Sequence, residues 1–299
     1  MPELPEVENL RIGLERVIVG QKIRNVKVAK PKLVSGRGTK RTASSKKHKE
    51  FITGISGEKF LSIERRAKNL IFKLSHGKII VVHLKMSGQF VYKSFKKEKQ
   101  ISGGHPIEIS ETELPNKHSH VIFELEKGTL YYNDTRMFGY LLYYPDLKAF
   151  EIENHFGAYG VEPLSKEFSV KHVVDSFKNK SGKIKPVLMD QKIVTGLGNI
   201  YADESLFESG IRPDRSPSSL SQSEIQKLHK AVIRIITRAI KVGGSSVATY
   251  RLLDATEGNY AREHKVYGKS GKLCVNCKKP LIKTVVGGRT TIFCSMCQK

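Results

Sequence analysis

The chain has 299 residues, enough for two domains that each bury a core, and its hydrophobic share of 39% excludes a wholly disordered protein. Its 52 lysines and arginines against 29 acidic residues give a formal charge of +23, which favours a polyanionic partner or a membrane surface over an acidic small substrate, with nucleic acid as the leading candidate. No apolar run reaches the roughly 18 to 20 residues that cross a bilayer, and the first residues lack the pattern of a signal peptide, so we expect a cytoplasmic protein without membrane contact.

The N-terminal segment predicts a helix over residues 5–19, which begins almost at the terminus. Pro5 suits the first helical turn and Gly20 suits the end. The apolar residues of one face keep helical spacing: Val7, Leu10, Leu14 and Val17.

Pro2, ahead of this helix, is a candidate nucleophile. Because proline is small, Met1 is normally trimmed before it, which exposes a secondary amine next to Glu3. An N-terminal amine titrates at roughly 7.7 to 8.0, so an appreciable fraction is neutral and nucleophilic at cellular pH. A secondary amine also forms a charged iminium with an aldehyde carbon, and that iminium attracts electrons without further protonation. The alternative from the residues alone is that Pro2 has no role and the segment only starts the helix.

Between about residues 21 and 145 the chain predicts a β-sandwich or barrel. Short β-rich runs, among them Lys78–Leu84, His120–Leu125 and Thr129–Tyr132, alternate with turns rich in glycine, asparagine and serine. Two stretches, residues 35–50 and 95–117, are basic or polar with scattered glycine, serine and proline. We predict that both are long surface loops, and we assign no functional residue to either.

From about residue 166 the pattern becomes helical. The predicted helices are Val170–Phe177, Lys185–Asp190, Ile200–Glu208 and Ser223–Val242. The last carries one apolar stripe, which is typical of a helix packed on a core. Ahead of the third helix, a glycine-rich turn at residues 196–201 can hold a phosphate on free backbone amides, and capping of the helix by Asn199 is the alternative.

The C-terminal residues predict a zinc finger, because all four cysteines fall there as two Cys-x-x-Cys pairs, a spacing that suits a tetrahedral four-thiolate site. The predicted ligands of one structural zinc ion are Cys274, Cys277, Cys294 and Cys297. Two predicted strands, Leu281–Val286 and Thr290–Phe293, flank the pair Gly287 and Gly288. Arg289 is therefore expected at the tip of the hairpin, where it can reach a phosphate.

Seven motifs, in order along nearly the whole chain, resemble those of the formamidopyrimidine-DNA glycosylase family. They are Pro2–Glu8, Arg65–Leu70, His83–Gly88, Lys117–His120, Arg136–Gly139, Gly196–Glu204 and the zinc finger. The resemblance implies an α+β multi-domain fold: an N-terminal β-sandwich with flanking helices (residues 1–155), a helix-two-turn-helix DNA-binding domain (166–262) and a C-terminal zinc finger (265–299). DNA would lie in the cleft between the domains.

The same resemblance implies a bifunctional DNA glycosylase and AP lyase of base excision repair, which removes oxidised purines such as 8-oxoguanine and formamidopyrimidines from duplex DNA. Pro2 would attack C1′ of the damaged nucleotide, and Glu3 would act as general acid and base. Lys68 would hold a phosphate near the lesion and assist elimination. Arg289 would belong to the same catalytic set and bind a phosphate. Pro2 would stay linked as a Schiff base while β- and δ-elimination cut the strand.

Chemistry on a stacked base requires that the nucleotide be flipped out, so the gap it leaves must be filled. By resemblance, Met86, Arg136 and Phe138 fill it as a flexible thioether, a cation that can bond the orphaned base, and an aromatic wedge. The residues that match phosphate contacts are His118, Lys180, Asn199 and Arg289.

The sequence departs from the family pattern at three positions. Met137 stands where a second basic residue commonly follows Arg136, which puts one backbone contact in doubt. Lys85 replaces the small residue common before Met86. Ala248 occupies a position that is often basic and near the flipped base, so this change bears on substrate preference.

Two alternatives remain at this point. The endonuclease VIII branch of the same superfamily prefers oxidised pyrimidines, but Leu4 together with the residues expected to fill the gap favours the purine branch. The other is a non-catalytic zinc-finger DNA-binding protein, which would need neither a free Pro2 amine nor Glu3. The resemblance further implies a monomer that binds double-stranded DNA with an oxidised base or abasic site and is associated with the nucleoid while it scans.

Overall fold

The computed structural model describes residues 1–38, 40–95, 100–104, 114–245 and 259–299. The described chain forms two compact units. The first contains Met1–Gly157 and takes in Gly243 to Ser245, and the second contains Ala158–Val242 and Asn259–Lys299.

The first unit combines three helices with nine strands among its described residues. The helices are α1 (Leu4–Ile18), α2 (Ser45–Ile55) and α3 (Leu147–Glu153). The strands are β1 (Ile23–Val28), β2 (Phe60–Arg66), β3 (Asn69–Leu74), β4 (Ile79–His83), β5 (Gly88–Ser94), β6 (Gln100–Gly104), β7 (Ser119–Leu125), β8 (Gly128–Asp134) and β9 (Tyr140–Tyr144). Short 3-10 turns occupy Pro31–Val34 and Ser75–Gly77.

These strands form two antiparallel sheets that share one core. The orders are β1-β7-β8-β5-β6 and β2-β3-β4-β9. Aromatic rings from the two sheets meet edge to face or tilted, with ring centroids 6.3 Å apart for Phe60 and Phe123 and 5.7 Å apart for Phe72 and Phe90. Helix α1 buries one apolar face in the same cluster. The predicted β-sandwich with flanking helices is therefore confirmed.

The prediction of a long loop over residues 35–50 is wrong for its last six residues, which belong to helix α2. The side chain of Ser44 caps this helix by accepting the N–H of Lys47, and Phe51 and Ile55 are fully buried one turn apart. The strongly basic run at the start of the helix concealed this apolar spacing.

The second predicted loop, residues 95–117, contains strand β6. It pairs with β5 in a regular antiparallel register, from Gln89 opposite Gly104 to Lys93 opposite Gln100. Much of the remaining stretch lies outside the described residues.

The second unit is helical and ends in a hairpin. Its helices are α4 (Val170–Lys178), α5 (Ile184–Leu188), α6 (Asn199–Ser209), α7 (Gln222–Lys241) and α8 (Tyr260–Glu263), and its strands are β10 (Ile282–Val286) and β11 (Arg289–Phe293). The helices expected from periodicity are confirmed, with shifts of a residue or two at their ends. Helix α7 begins with a capping box between Ser221 and Glu224 and buries its apolar stripe.

Within the described ranges, none of the helices has both the length and the apolar character that a membrane crossing requires.

Candidate functional site

The residues at the N-terminus of α1 are buried although they stand at the end of the chain. Pro2 is buried, and Glu3 and Glu6 are 4% and 2% exposed. Glu3 is the N-cap and forms a capping box with Glu6, in which the Glu3 N–H donates to Glu6 Oε2 at 2.9 Å. The other carboxylate oxygen of Glu6 accepts the N–H of Ser245 at 2.7 Å. Glu6 thereby ties the start of the helix to the segment at Gly244 and Ser245.

The amino group at this terminus lies among charged side chains of both signs. Burial is the main cause that lowers the pKa of the Met1 amine from 8.0, and the nearby charges of Lys68 and Arg136 lower it further. Glu3 and Glu6 oppose that shift. A lowered pKa enriches the neutral amine, which is the nucleophilic form. In this chain the amine belongs to Met1, and trimming of Met1 would pass the terminal position to Pro2.

Lys68 reaches this group from the turn between β2 and β3. It is 6% exposed and follows Ala67, whose φ of 55° lies in the left-handed region. Arg65 fixes the turn, because its Nη1 donates to the carbonyl of Ala67 at 3.1 Å and its Nε donates to Glu8 Oε2 at 2.8 Å. Since Glu8 belongs to α1, this ion pair sets the position of the Lys68 turn relative to the N-terminus.

The predicted gap-filling residues stand on two neighbouring turns. Met86 lies in the turn from β4 to β5 and is 42% exposed. Arg136 and Phe138 lie in the turn from β8 to β9, where the Arg136 guanidinium carbon stands 4.7 Å from the centre of the Phe138 ring. The guanidinium and the ring therefore form one stacked unit.

Asp134, at the end of β8, holds both turns together. It is fully buried, and its carboxylate accepts the N–H groups of Arg136 at 3.2 Å, Met137 at 3.0 Å and Gly139 at 2.8 Å. The hydroxyl of Ser87, next to Met86 in the chain, donates to the same carboxylate at 2.5 Å. No sequence prediction gave a role at the site to Asp134, which lies two residues before the Arg136–Gly139 motif, or to Glu6, which lies inside the Pro2–Glu8 motif.

His83 shapes the backbone ahead of Met86. Burial holds the pKa of His83 well below its usual value, so the ring is neutral. Its Nδ1 accepts the N–H of Lys85 at 3.0 Å, and Lys85 has a φ of 52°. The substitution of Lys85 for a small residue therefore falls at a left-handed position of this turn.

The other positions flagged in this half of the chain have different surroundings. Met137 has a φ of 52° and packs its side chain against the core of the first unit. His118 is half-buried ahead of β7, with its N–H bound to the Asn116 side chain at 2.9 Å. Ala248 lies outside the described residues.

The four cysteines of the second unit converge on one point. Their sulfur atoms all lie within 4.8 Å of one another, so the cluster can bind a metal ion. A backbone hydrogen bond from Lys279 is the main cause that lowers the pKa of the Cys277 thiol to about 7, whereas desolvation raises the pKa of the Cys294 and Cys297 thiols. The cluster, a soft four-thiolate donor set, fits zinc.

The hairpin of β10 and β11 has the predicted form. Gly287 and Gly288 form its two-residue turn with φ values of 57° and 72°, a conformation in which both central residues favour glycine. Arg289 is exposed and pairs with Val286 across the turn. A Cβ at Gly287 would meet Pro186 at 2.2 Å, so helix α5 packs directly against this turn.

A buried ion pair binds strand β11 of the hairpin. Lys185 Nζ lies 2.7 Å from Asp203 Oδ1, and both side chains are at most 1% exposed. The same ammonium donates to the carbonyl of Thr290 at 3.0 Å and to the hydroxyl of Thr291 at 2.7 Å. Desolvation raises the pKa of Asp203 to about 7, and Lys185 opposes that shift.

Two predicted phosphate contacts also belong to the second unit. Lys180 is exposed, with its Nζ 3.9 Å from Asp190 Oδ2. Asn199 donates from Nδ2 to the carbonyl of Thr290 at 3.1 Å, beside Arg289. The capping alternative for Asn199 is wrong, because Gly198 is the N-cap of α6 and Asn199 is its first helical residue.

Within the first unit the structure therefore brings the N-terminus, Glu3, Lys68 and Arg136 together, and places Met86 on a turn joined to that of Arg136. Within the second unit it brings Asn199 and Arg289 to the same end of β11, the end opposite to Cys294.

Comparison with known proteins gives a consistent result. The formamidopyrimidine-DNA glycosylase N-terminal domain matches residues 1–141, and the formamidopyrimidine-DNA glycosylase H2TH domain matches residues 159–251. Full-length relatives include the formamidopyrimidine-DNA glycosylases of Desulfitobacterium hafniense, 35% identical over 298 residues, and Streptococcus mutans, 38% identical over 303 residues. In both comparisons the alignment covers 100% of each chain.

Solved structures of the Lactococcus lactis protein Fpg are similar along the whole chain. Its complex with DNA containing an abasic site is 33% identical with a TM-score of 0.84, and covers 99% of each chain. A complex with DNA containing N7-benzyl-Fapy-dG has a TM-score of 0.84, and one with DNA containing an oxidised pyrimidine has 0.83. Both of these are 33% identical and cover 100% of each chain.

Proposed function

The chain belongs to the formamidopyrimidine-DNA glycosylase family, and on that premise we propose that it excises oxidised purines from duplex DNA and cuts the resulting abasic site with its own N-terminal amine. The observation that carries this proposal is the setting of the amino terminus: partial burial lowers the pKa of the Met1 amine, Lys68 and Arg136 add to the shift, and Glu3 opposes it. A DNA-binding module has no need for a neutral amine held among a carboxylate and two cations.

Pro2 is the nucleophile in this scheme once Met1 is removed. Its nitrogen attacks C1′ of the flipped nucleotide, the bond between C1′ and the base breaks, and the leaving base takes up a proton. Opening of the sugar ring then leaves an iminium, a Schiff base between Pro2 and C1′. Because the iminium withdraws electrons, a proton can leave C2′ and the 3′-phosphate departs in β-elimination. The 5′-phosphate follows by δ-elimination.

Glu3 and Lys68 serve these steps. The Glu3 carboxylate is buried one residue from the nucleophile, where it can deliver and remove protons. The Lys68 ammonium holds a phosphate beside the lesion and assists its departure. The ion pair between Arg65 and Glu8 keeps the lysine turn in place while the strand is cut.

Met86, Arg136 and Phe138 fill the gap left by the flipped nucleotide. Met86 is exposed and flexible, and the stacked pair of Arg136 and Phe138 combines a hydrogen-bond donor for the orphaned base with an aromatic wedge. Hydrogen bonds from both turns to Asp134 keep the three side chains on one support.

Residues of both units contact the DNA backbone in this proposal. His118 belongs to the first unit, and Lys180, Asn199 and Arg289 belong to the second. One zinc ion held by the four cysteines keeps the hairpin folded, so that Arg289 can reach a phosphate. The working divisions of the chain are residues 1–155, 166–262 and 265–299, acting as a monomer on nucleoid DNA in the cytoplasm.

The oxidised-pyrimidine alternative rests on one observation, the Lactococcus lactis structure with an oxidised pyrimidine in the DNA. We propose oxidised pyrimidines only as weaker substrates than oxidised purines, because the curated relatives that match over the whole chain carry the name formamidopyrimidine-DNA glycosylase.

Release of free base from three duplexes tests the assignment. We expect single-turnover release of 8-oxoguanine and formamidopyrimidine to exceed release of thymine glycol by about tenfold or more, a preference of about 1.4 kcal/mol in the transition state. Faster release of thymine glycol would move the protein to the pyrimidine branch. No release of any of the three bases would refute glycosylase activity.

A further inference from the structure

Arg41 lies in the segment to which the sequence assigned no function, yet it contacts the turn that carries Arg136 and Phe138. Its guanidinium donates to the carbonyl oxygens of Met137 at 3.3 Å and Phe138 at 3.4 Å. It also donates to the carbonyl of Gly139. One side chain therefore binds three successive carbonyl groups, 96 to 98 positions further along the chain.

The same turn is bound on its other polar groups by Asp134. The Asp134 carboxylate accepts hydrogen bonds from the N–H groups of Arg136, Met137 and Gly139. The Arg41 guanidinium donates to the carbonyl groups of residues 137–139. Charged partners strengthen each of these hydrogen bonds. The turn needs such support, because Met137 adopts a φ of 52°, which costs a non-glycine residue energy that the surroundings must offset.

Arg41 is itself held in place from its own segment. Its Nε donates to the carbonyl of Lys32 at 2.6 Å, and its Nη1 donates to the carbonyl of Gly38. The planar guanidinium carries five N–H donors in a fixed fork, whereas a lysine ammonium is a single point with three. Lysine at this position can bind only part of the set.

We propose that Arg41 is a positioning residue for base flipping: it fixes the backbone of residues 137–139 so that Arg136 and Phe138 hold the geometry in which they fill the gap. This inference rests on the proposed function. Since Arg41 contacts the backbone of the turn, its effect falls on the steps that open a base pair. Cleavage of an abasic site that is already unpaired does not require them.

The test compares Arg41→Met and Arg41→Lys with the control Arg37→Met, which removes a neighbouring arginine that pairs with Glu153 instead. Two rates are measured in single turnover: excision of 8-oxoguanine opposite cytosine in a duplex, and cleavage of an abasic site in single-stranded DNA. We expect Arg41→Met to lower excision by about 10- to 100-fold and abasic cleavage by less than about twofold. Arg41→Lys should fall between it and wild type, and Arg37→Met should match wild type.

Equal losses of both rates in Arg41→Met, or wild-type excision by it, would overturn the inference. Thermal unfolding of each variant identifies misfolded protein, and Arg41→Lys keeps the test open if the methionine variant does not fold. Fluorescence of 2-aminopurine opposite a tetrahydrofuran lesion reports opening of the duplex without any catalysis. A normal signal in Arg41→Lys and Arg41→Met would contradict the inference even if the wild type released no base, which separates its failure from failure of the proposed function.

Discussion

The hydroxyl of Ser87 donates to the carboxylate of Asp134 at 2.5 Å, and this contact joins the turn of Met86 to the turn of Arg136 and Phe138. The same hydroxyl accepts the N–H of Arg136 at 3.1 Å. Two turns that are distant in sequence thus share one buried support.

Ser87→Ala should therefore destabilise the first unit and slow base excision together. The change removes a donor from a buried carboxylate and an acceptor from a backbone N–H, a loss of about 1–3 kcal/mol in the free energy of unfolding. Urea unfolding measures the loss. Ser94→Ala, a half-buried serine at the far end of strand β5 whose hydroxyl makes a longer 3.4 Å contact to the Lys127 carbonyl, is the control and should change stability by less than about 0.5 kcal/mol. If the two variants were equally stable, the support assigned to Ser87 would be wrong.

The ion pair of Lys185 and Asp203 is expected to stabilise the second unit, because it also anchors the hairpin. Lys185→Met leaves a buried carboxylate without its cation and removes the contacts to Thr290 and Thr291, so we expect a loss of about 3–5 kcal/mol in unfolding free energy. The double change Lys185→Met with Asp203→Leu should recover much of that loss, because no charge is then left buried. Denaturant unfolding of the single and double variants checks both expectations. A single variant within about 1 kcal/mol of wild type would show that the pair contributes little.

His155 predicts a dependence of stability on acid pH. Burial is the main cause that lowers its pKa from 6.5 to about 4 in the folded chain, and the Arg37 charge adds to the shift. The unfolded chain therefore binds more protons than the folded chain between about pH 6.5 and 4, so the free energy of unfolding falls as the pH is lowered through this window.

His155→Gln removes that titration and should flatten the slope of unfolding free energy against pH between about 4 and 6.5. At pH 7.5 its effect on the slope should vanish, because the ring is neutral in both states. An unchanged slope in the variant would assign the acid sensitivity to other groups. The measurement is a set of urea unfolding curves at matched ionic strength.

Local features of this protein were readable from the sequence, and long-range pairings were not. The cysteine spacing, the Gly287–Gly288 turn and the periodicity of α1 and α7 are patterns within short windows, so they predicted the finger and the helices. The hydrogen bonds from Arg41 to residues 137–139 join positions that are far apart in the chain, so no periodic pattern in the sequence predicts them. Helix α2 was missed because its basic exposed face outweighed Phe51 and Ile55.

The candidate site shows the same division. Pro2, Glu3, Lys68 and Arg136 stood out because they belong to ordered motifs, but nothing local indicated that their charges act on one amine. The role of Asp134 as the shared support of two turns depends on strands β5 and β8 pairing side by side, from Gly88 opposite Asp134. Such a role becomes visible only when the sheet is built.

Metal removal tests the finger. We expect one zinc ion per chain by elemental analysis, and we expect chelation to lower affinity for duplex DNA by about tenfold, the equivalent of one strong charged contact of about 1.4 kcal/mol. Arg289→Ala should lower affinity to a similar extent while retaining zinc, and chelation of that variant should add little. Unchanged binding after verified loss of the metal would contradict the role given to the hairpin.

The central claim is that the amine of Pro2 forms the covalent link to DNA. Borohydride reduction in the presence of duplex DNA with 8-oxoguanine opposite cytosine, followed by proteolysis and mass spectrometry, tests it most directly. We predict an adduct on the N-terminal proline, lost in Pro2→Gly and in protein with a retained N-terminal tag. An adduct on a lysine such as Lys68, or no adduct with any oxidised base or abasic site, would contradict the claim.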